Sequence, residues 1–284
     1  MPLVKVNELL HHATENGYGV AAVNVFNYET IKWVAEAANR ERIPVIIQFY
    51  PGFDKYIALK HVAAIAKDFA EKSSVPIGVH LDHSAGYEIA VSGVRDGFPS
   101  VMVDGSALPY EENMALTAAV VKTAAVFGVD VEAELGHVGS GANLDDIVNS
   151  GHYTDVKQAV EFVKCTGCGS LAVAVGNAHG AYVQTPNLDF DRIASLRSAL
   201  PIPLVLHGCS DIPPEQLQES VRLGMSKFNI ATEYFRACYH GVVQHGDPAE
   251  KNGDMFRLMM ETSENAIDFV RGKMRLLNPN KFTF

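Results

Sequence analysis

His80-Leu81-Asp82-His83 gathers two imidazoles and a carboxylate at the end of the apolar run 75–79. Unpaired polar groups at the end of a buried strand cost several kcal/mol, so such a cluster points to something held there. On extended backbone His80 and Asp82 share one face, Leu81 takes the other, and His83 falls at the first loop position. Two further histidines have similar settings: His179 in Gly176-Asn177-Ala178-His179-Gly180 and His207 in Leu206-His207-Gly208. Each alone reads as a hydrogen-bonded core histidine. Together, neutral imidazoles from His83, His179 and His207 with open positions beside them make a catalytic zinc set, the metal acting as a Lewis acid on a carbonyl oxygen. Asp82 is then placed beside the ion for proton transfer. Asp104, Glu134 and His80 add two carboxylates and an imidazole nearby, either orienting the ligands or forming a second metal position. The rival chemistry at a carbonyl is a lysine Schiff base, but Lys227 falls at the start of its strand rather than the end. Cys165-Thr166-Gly167-Cys168 has redox spacing without a second cysteine pair, and it reads as structural.

Residues this far apart in sequence need a fold that brings them together, and the chain shows one. After an opening amphipathic helix at Val6–Asn16, short apolar runs occur at 19–26, 44–49, 75–81, 100–103, 129–135, 170–175, 203–206 and 226–230. Stretches of helical spacing separate them. Continuous apolar runs alternating with helices predict a parallel sheet covered by helices, and eight such units predict closure. The expected fold is α/β: a (β/α)8 TIM barrel of one domain over residues 1–284, with an N-terminal helix and an additional C-terminal helix. That last helix, over about 254–277, should lie outside the barrel or reach a neighbouring subunit. In such barrels chemistry sits at the carboxyl ends of the strands. Asn24, Gln48, Asp82, His83, Asp104, Glu134, His179, His207 and Asn229 all fall at those ends. Gly180, Gly208, Ser210, Asn229 and Thr232 follow strands six to eight, where turns before helix starts present backbone N–H groups to an anion. They suggest a phosphorylated substrate.

Bulk properties narrow the partners. At 284 residues and 48% hydrophobic, the chain can bury a large core. A formal charge of −10 argues against nucleic acid or an anionic membrane surface. No run approaches the roughly 20 apolar residues of a membrane span, and residues 1–5 lack the apolar core of a signal peptide. The cysteines form no disulfide framework and suit a reducing compartment, so a cytoplasmic location is expected.

These segments resemble the class II, metal-dependent ketose-bisphosphate aldolases, the family of fructose- and tagatose-bisphosphate aldolases. The resemblance runs along essentially the whole chain. It is carried by His80-Leu81-Asp82-His83, Ser100-Val101-Met102-Val103-Asp104, Val131-Glu132-Ala133-Glu134-Leu135-Gly136, Gly176-Asn177-Ala178-His179-Gly180, Leu206-His207-Gly208 and Asn229-Ile230-Ala231-Thr232. It implies one zinc on His83, His179 and His207, with Asp82 as acid/base on the C4 oxygen. It also implies Gly180, Gly208, Ser210, Asn229 and Thr232 around the donor phosphate, and a homodimer or homotetramer; a need for a monovalent cation stays open. The implied reaction is reversible cleavage of a ketose 1-phosphate or 1,6-bisphosphate to dihydroxyacetone phosphate and an aldehyde.

The chain also departs from the family pattern. The loop glutamate that follows the Glu-Leu-Gly segment is replaced by Ala142, with Asp145, Asp146 or a water as substitutes. The phosphate turn reads His207-Gly208-Cys209-Ser210-Asp211, adding a carboxylate that repels phosphate unless it points away or meets a cation. Tyr50 occupies a position where bisphosphate-specific members place a small serine. These changes favour a different ketose phosphate with an unusual aldehyde half. Two alternatives remain: a metal-dependent lyase of another or a non-phosphorylated sugar, and a non-catalytic sugar-phosphate binder.

Overall fold

A computed structural model describes residues 3–247 and 253–284. Eight parallel strands form a closed barrel in sequence order: β1 (Val20–Asn24), β2 (Val45–Phe49), β3 (Ile77–Ser84), β4 (Ser100–Val103), β5 (Asp130–Leu135), β6 (Ser170–Val173), β7 (Leu204–Leu206) and β8 (Met225–Ile230). The helices are α1 (Val6–Asn16), α2 (Tyr28–Glu41), α3 (Leu59–Lys72), α4 (Tyr87–Arg95), α5 (Tyr110–Val126), α6 (Leu144–Val148), α7 (Val156–Thr166), α8 (Phe190–Ala199), α9 (Pro214–Arg222), α10 (Thr232–His245) and α11 (Met255–Leu276). This is the expected (β/α)8 barrel with added helices at both ends of the chain.

The strands are buried almost throughout because both of their faces are covered, which is why they read as continuous apolar runs. Their period of two still sorts the faces. Ala21, Val23, Val45, Ile47, Val79, Leu81 and Val101 join the large core packed beneath the helices. Val20, Ala22 and Ile46 instead meet Val6, Leu9, Leu10 and Ala13 of α1 in a separate apolar cluster. Thus α1 plugs the amino-terminal end of the barrel, and the interior is left open at the other end. Going up the same inward faces, Ala22 gives way to Asn24, Ile46 to Gln48, and Gly78 to His80 and then Asp82. The polar residues appear where the apolar plug ends.

Local signals fix the helices. Asn27 caps α2 through a reciprocal capping box with Thr30, Asp155 accepts from Lys157 N and Gln158 N at the start of α7, and Gly167 ends that helix at φ 69°. The terminal helix α11 lies outside the barrel across α10 and α2, where Arg271 and Arg275 pair with Glu41. The loop that leaves β5 contains α6 and a short 3-10 turn at Ser150–His152. All four cysteines carry free thiols, and Cys165 is exposed while Cys168 is buried. Among the described residues no helix is long and apolar enough to cross a membrane.

Candidate active site

The end of β3 departs from the expected strand and does so where chemistry is needed. The sequence reading stops the strand at Leu81, but the structure carries it to Ser84, with a register shift against β4 between Leu81 and Ser84. His83 takes φ 33°, uncommon for a residue with a side chain. Strict alternation would send His83 to the opposite face from Asp82; the bulge lets both reach the barrel mouth.

His83, His179 and His207 converge there. Their ring centroids are 4.8 Å (His83 to His179), 4.6 Å (His83 to His207) and 5.7 Å (His179 to His207) apart. One ring nitrogen of each lies within 4.8 Å of those of the other two. The opposite nitrogen is in each case engaged: His83 Nδ1 with Asp104 Oδ2 at 2.9 Å, His179 Nδ1 with the Val138 carbonyl at 3.2 Å, and His207 Nε2 with Glu132 Oε1 at 3.0 Å. Such bonds fix ring orientation and tautomer. His179 Nε2 and His207 Nδ1 are buried without a hydrogen-bond partner. Buried imidazole nitrogens without a hydrogen bond, gathered within 4.8 Å of one another, are costly unless something accepts their lone pairs.

The surrounding charge says what that should be. Asp82, Asp104, Glu132 and Glu134 crowd this layer, with Lys227 Nζ paired to Glu132 at 2.9 Å. Burial opposes a charge on His83, yet Asp82, Asp104 and Glu134 raise its pKa to about 10. Burial, then the charge of Asp104, pushes Glu134 up to about 8. Burial and the His83 charge bring His179 down to about 4, and the same causes, with Lys227, hold His207 well below its usual range. Burial works against the Asp82 and Asp104 anions, but His83 and their hydrogen bonds keep both below the ordinary carboxylate range. Carboxylates buried this close to an imidazole set are what a bound divalent cation would relieve. The donor set and its electrostatics fit zinc.

Asp82 is held from three sides. Asn24 Nδ2 donates to Oδ2 at 2.9 Å, Asn229 Nδ2 to Oδ1 at 3.1 Å, and Gln48 Nε2 to Oδ2 at 3.4 Å. Asp82 Oδ1 lies 4.0 Å from His83 Nε2. This carboxylate lines a cavity of about 420 Å³ with His83, His179 and Asp104. Gly180, Gly208, Ser210, Asn229 and Thr232 line the same cavity, so the residues that the sequence proposes for a phosphate are brought together. Gly208 sits at φ 62°, and a Cβ there would meet the Ala178 carbonyl at 2.0 Å. The turns after β6 and β7 therefore pack backbone to backbone.

Other expected residues fall elsewhere. His80 lies a layer below, bonded to Ser100 Oγ at 2.8 Å and 3.8 Å from Glu132 Oε2, so it meets His207 only through Glu132. Asp104 supports His83 directly. Glu134 Oε2 faces His207 Nδ1 at 3.3 Å, and His83, Asp104 and Glu134 also form a compact group. Asp211 points away from the phosphate wall into a bidentate pair with Arg236, at 3.0 and 3.1 Å. Neither Asp145 nor Asp146 lines the cavity.

Sequence reasoning missed several supports. Lys227 was set aside as a strand-start residue, yet it shares the inward face of β8 with Asn229, two positions on, and neutralises Glu132. That spacing was the available signal. Tyr182 Oη accepts from Ala178 N at 2.7 Å and donates to the Gly208 carbonyl at 2.9 Å, while Asn177 Nδ2 donates to the His207 carbonyl at 3.1 Å. These bonds lock the two histidine-bearing turns together, and nothing in the spacing announced them. Phe53 and Phe235 join Tyr50 along one wall of the cavity.

The family model described as fructose-bisphosphate aldolase class-II matches residues 4–281. Among solved structures, the YdjI aldolase of Escherichia coli K12 is 34% identical with a TM-score of 0.87, covering 97% of each chain. A putative fructose-1,6-biphosphate aldolase from Coccidioides immitis is 29% identical with a TM-score of 0.85, covering 96% of each chain. The fructose-bisphosphate aldolase of Campylobacter jejuni, 24% identical with a TM-score of 0.82 over 97% of this chain and 95% of that one, shares the fold. The chain belongs to the class II fructose-bisphosphate aldolase family and is an aldolase, a carbon–carbon lyase.

Proposed function

We propose that this aldolase is zinc-dependent and cleaves a ketose 1-phosphate reversibly to dihydroxyacetone phosphate and an aldehyde. The observation that carries the reading is the convergence of one nitrogen each from His83, His179 and His207 within 4.8 Å, with the Asp82 carboxylate alongside. Those three histidines would hold the ion. When bound, zinc supplies a Lewis acid that draws electron density from the ketose carbonyl.

The rest of the work belongs to side chains of the cavity. Asp82, kept anionic and oriented by Asn24, Gln48 and Asn229, takes the C4 hydroxyl proton as the C3–C4 bond breaks, and returns it in condensation. The electron pair of that bond stays with the three-carbon half, which gains a proton at C3 before release. Gly180, Gly208, Ser210, Asn229 and Thr232 hold the donor phosphate, with Thr232 at the first turn of α10, where the helix N-terminus favours an anion. Tyr50, Phe53 and Phe235 on the cavity wall favour an aldehyde half without a second phosphate, so a ketose 1-phosphate is preferred over a 1,6-bisphosphate.

Exposed Tyr239, Val243, Met255, Phe256 and Met260 on α10 and α11 support assembly as a homodimer or homotetramer. The free thiols support a cytoplasmic setting. The decisive experiment removes the metal by chelation and assays cleavage of ketose 1-phosphates and 1,6-bisphosphates before and after zinc is restored. Loss and recovery of turnover is the expected result, and activity surviving complete demetallation would overturn the reading.

A further inference from the structure

On the loop that leaves β5, outside the cavity, His137, Asp146 and His152 bring one potential ligand atom each to within 4.8 Å of one another. His137 Nε2 lies 3.2 Å from Asp146 Oδ1, and the two imidazoles meet edge to face with centroids 5.0 Å apart. The backbone holds the histidines together, His137 N donating to the His152 carbonyl at 2.9 Å. His152 Nδ1 is sealed from solvent and has no hydrogen-bond partner. Asp146 is anchored as well, its Oδ2 accepting from Ser140 N at 2.7 Å. Gly139 makes room for it, since a Cβ there would stand 2.2 Å from the Asp146 carboxylate. Two imidazoles and a carboxylate are thus held together by hydrogen bonds, with Asp146 and His152 partly buried and His137 exposed.

We propose that His137, Asp146 and His152 form a second divalent-cation site, separate from the barrel mouth, that takes a borderline metal such as zinc and pins the β5 loop. Two imidazoles and one carboxylate with an open position suit zinc rather than the hard, oxygen-preferring cations. The loop it pins bears on His179 directly. His179 N donates to the Gly139 carbonyl at 2.8 Å, Gly141 N donates to the His179 carbonyl at 2.7 Å, and the His179 ring leans on the Val138 carbonyl. Asp146 reaches into this same segment through Ser140 N. An ion held by Asp146 and the flanking histidines therefore stiffens the backbone against which His179 is set, and His137, Asp146 and His152 act as positioning residues.

Equilibrium dialysis of the metal-free protein against zinc alone tests this without any substrate. The native chain is expected to bind about two equivalents per chain. H137A/H152A should lose one and bind the remaining one more weakly, because His179 is set against the loop. H83A/H207A should lose the other and keep the loop site. In the H83A/H207A background, zinc should slow amide exchange over residues 137–149 at least tenfold, and H137A or Asp146→Asn should abolish that protection. Equal zinc stoichiometry and affinity in the native chain and H137A/H152A would overturn the loop site. So would loss of all zinc binding in H83A/H207A. Failure of the barrel-mouth site appears separately, as unchanged binding in H83A/H207A.

Discussion

The cavity has two unlike halves. The side built from the turns after β6, β7 and β8 is small and polar: Gly180, Gly208, Ser210, Asn229 and Thr232, with the start of α10 behind them. The side after β2 and β3 is bulky and aromatic: Tyr50, with its ring edge-on to Phe53 at 5.3 Å, and Ala85 beside them. Phe53 in turn has its ring centroid 5.9 Å from that of Phe235 of α10, so the aromatic surface continues to that helix. Small residues let backbone approach an anion; aromatic rings exclude one and reward apolar contact. Asp82 and His83 come from β3, and His179 and His207 from the turns after β6 and β7. The contrast is the ground for the proposal that phosphate takes one half and the variable aldehyde the other, and each substitution below strains it at a different point.

The largest effect should come at the junction. Asp82→Asn keeps the shape and the hydrogen bonding capacity toward one oxygen but removes the base, so turnover should fall roughly 10³-fold on every substrate. Zinc content should be retained. Turnover within tenfold of the native chain would remove Asp82 from the proton transfer.

The next effect belongs to the polar half. Gly208→Ala puts a Cβ against the Ala178 carbonyl at a left-handed position, φ 62°, so the turn carrying His207 must shift relative to the one carrying His179. A displacement of about 1 Å at such a point costs on the order of 10² in rate. Steady-state kinetics with a phosphorylated ketose should show it in both kcat and KM. An unchanged enzyme would mean the two turns are not mechanically joined.

How far these halves could be read in advance differs for the same reason. The polar half was legible because glycine, serine and threonine after strands have few reasons to be there apart from turns and anion contacts. The barrel was legible from eight apolar runs, and His83, His179 and His207 from their place at strand ends. The bulge at His83 was not, because a register shift leaves no periodic trace over so few residues. The pairing of Lys227 with Glu132 was not legible, because position along the strand says nothing of which buried partner its face will meet. For Asp211 the sequence leaves two outcomes open, repulsion or a cation partner, and only the fold brings Arg236, 25 positions later, to supply the second. Pairings across α10 need the fold before they can be seen.

The aromatic half should yield a smaller, substrate-dependent change. Tyr50→Ser opens the wall and adds a hydroxyl near His83, whose ring centroid is 6.5 Å from that of Tyr50. The kcat/KM ratio for 1,6-bisphosphate over 1-phosphate substrates should rise about tenfold, equivalent to about 1.4 kcal/mol. A ratio that does not move would show that Tyr50 does not choose the aldehyde.

The smallest effect concerns a charge that the polar half must keep away. Asp211 adjoins Ser210 in the turn and adopts φ 61°, with its carboxylate turned outward to Arg236. Both partners are partly exposed, so the pair itself contributes little to stability, about 0–1 kcal/mol. Its consequence is electrostatic. In Arg236→Ala the carboxylate loses its neutralising partner next to a site that binds an anion, and at surface dielectric this is a repulsion of the order of 1 kcal/mol. The KM for phosphorylated substrates should rise about threefold to fivefold at low salt, with kcat unchanged and the effect fading as ionic strength screens it. Asp211→Asn in the same background should restore the native value, because it removes the repelling charge rather than replacing the cation. If the double variant stays as weak as Arg236→Ala alone, the arginine acts on the phosphate itself and not through Asp211.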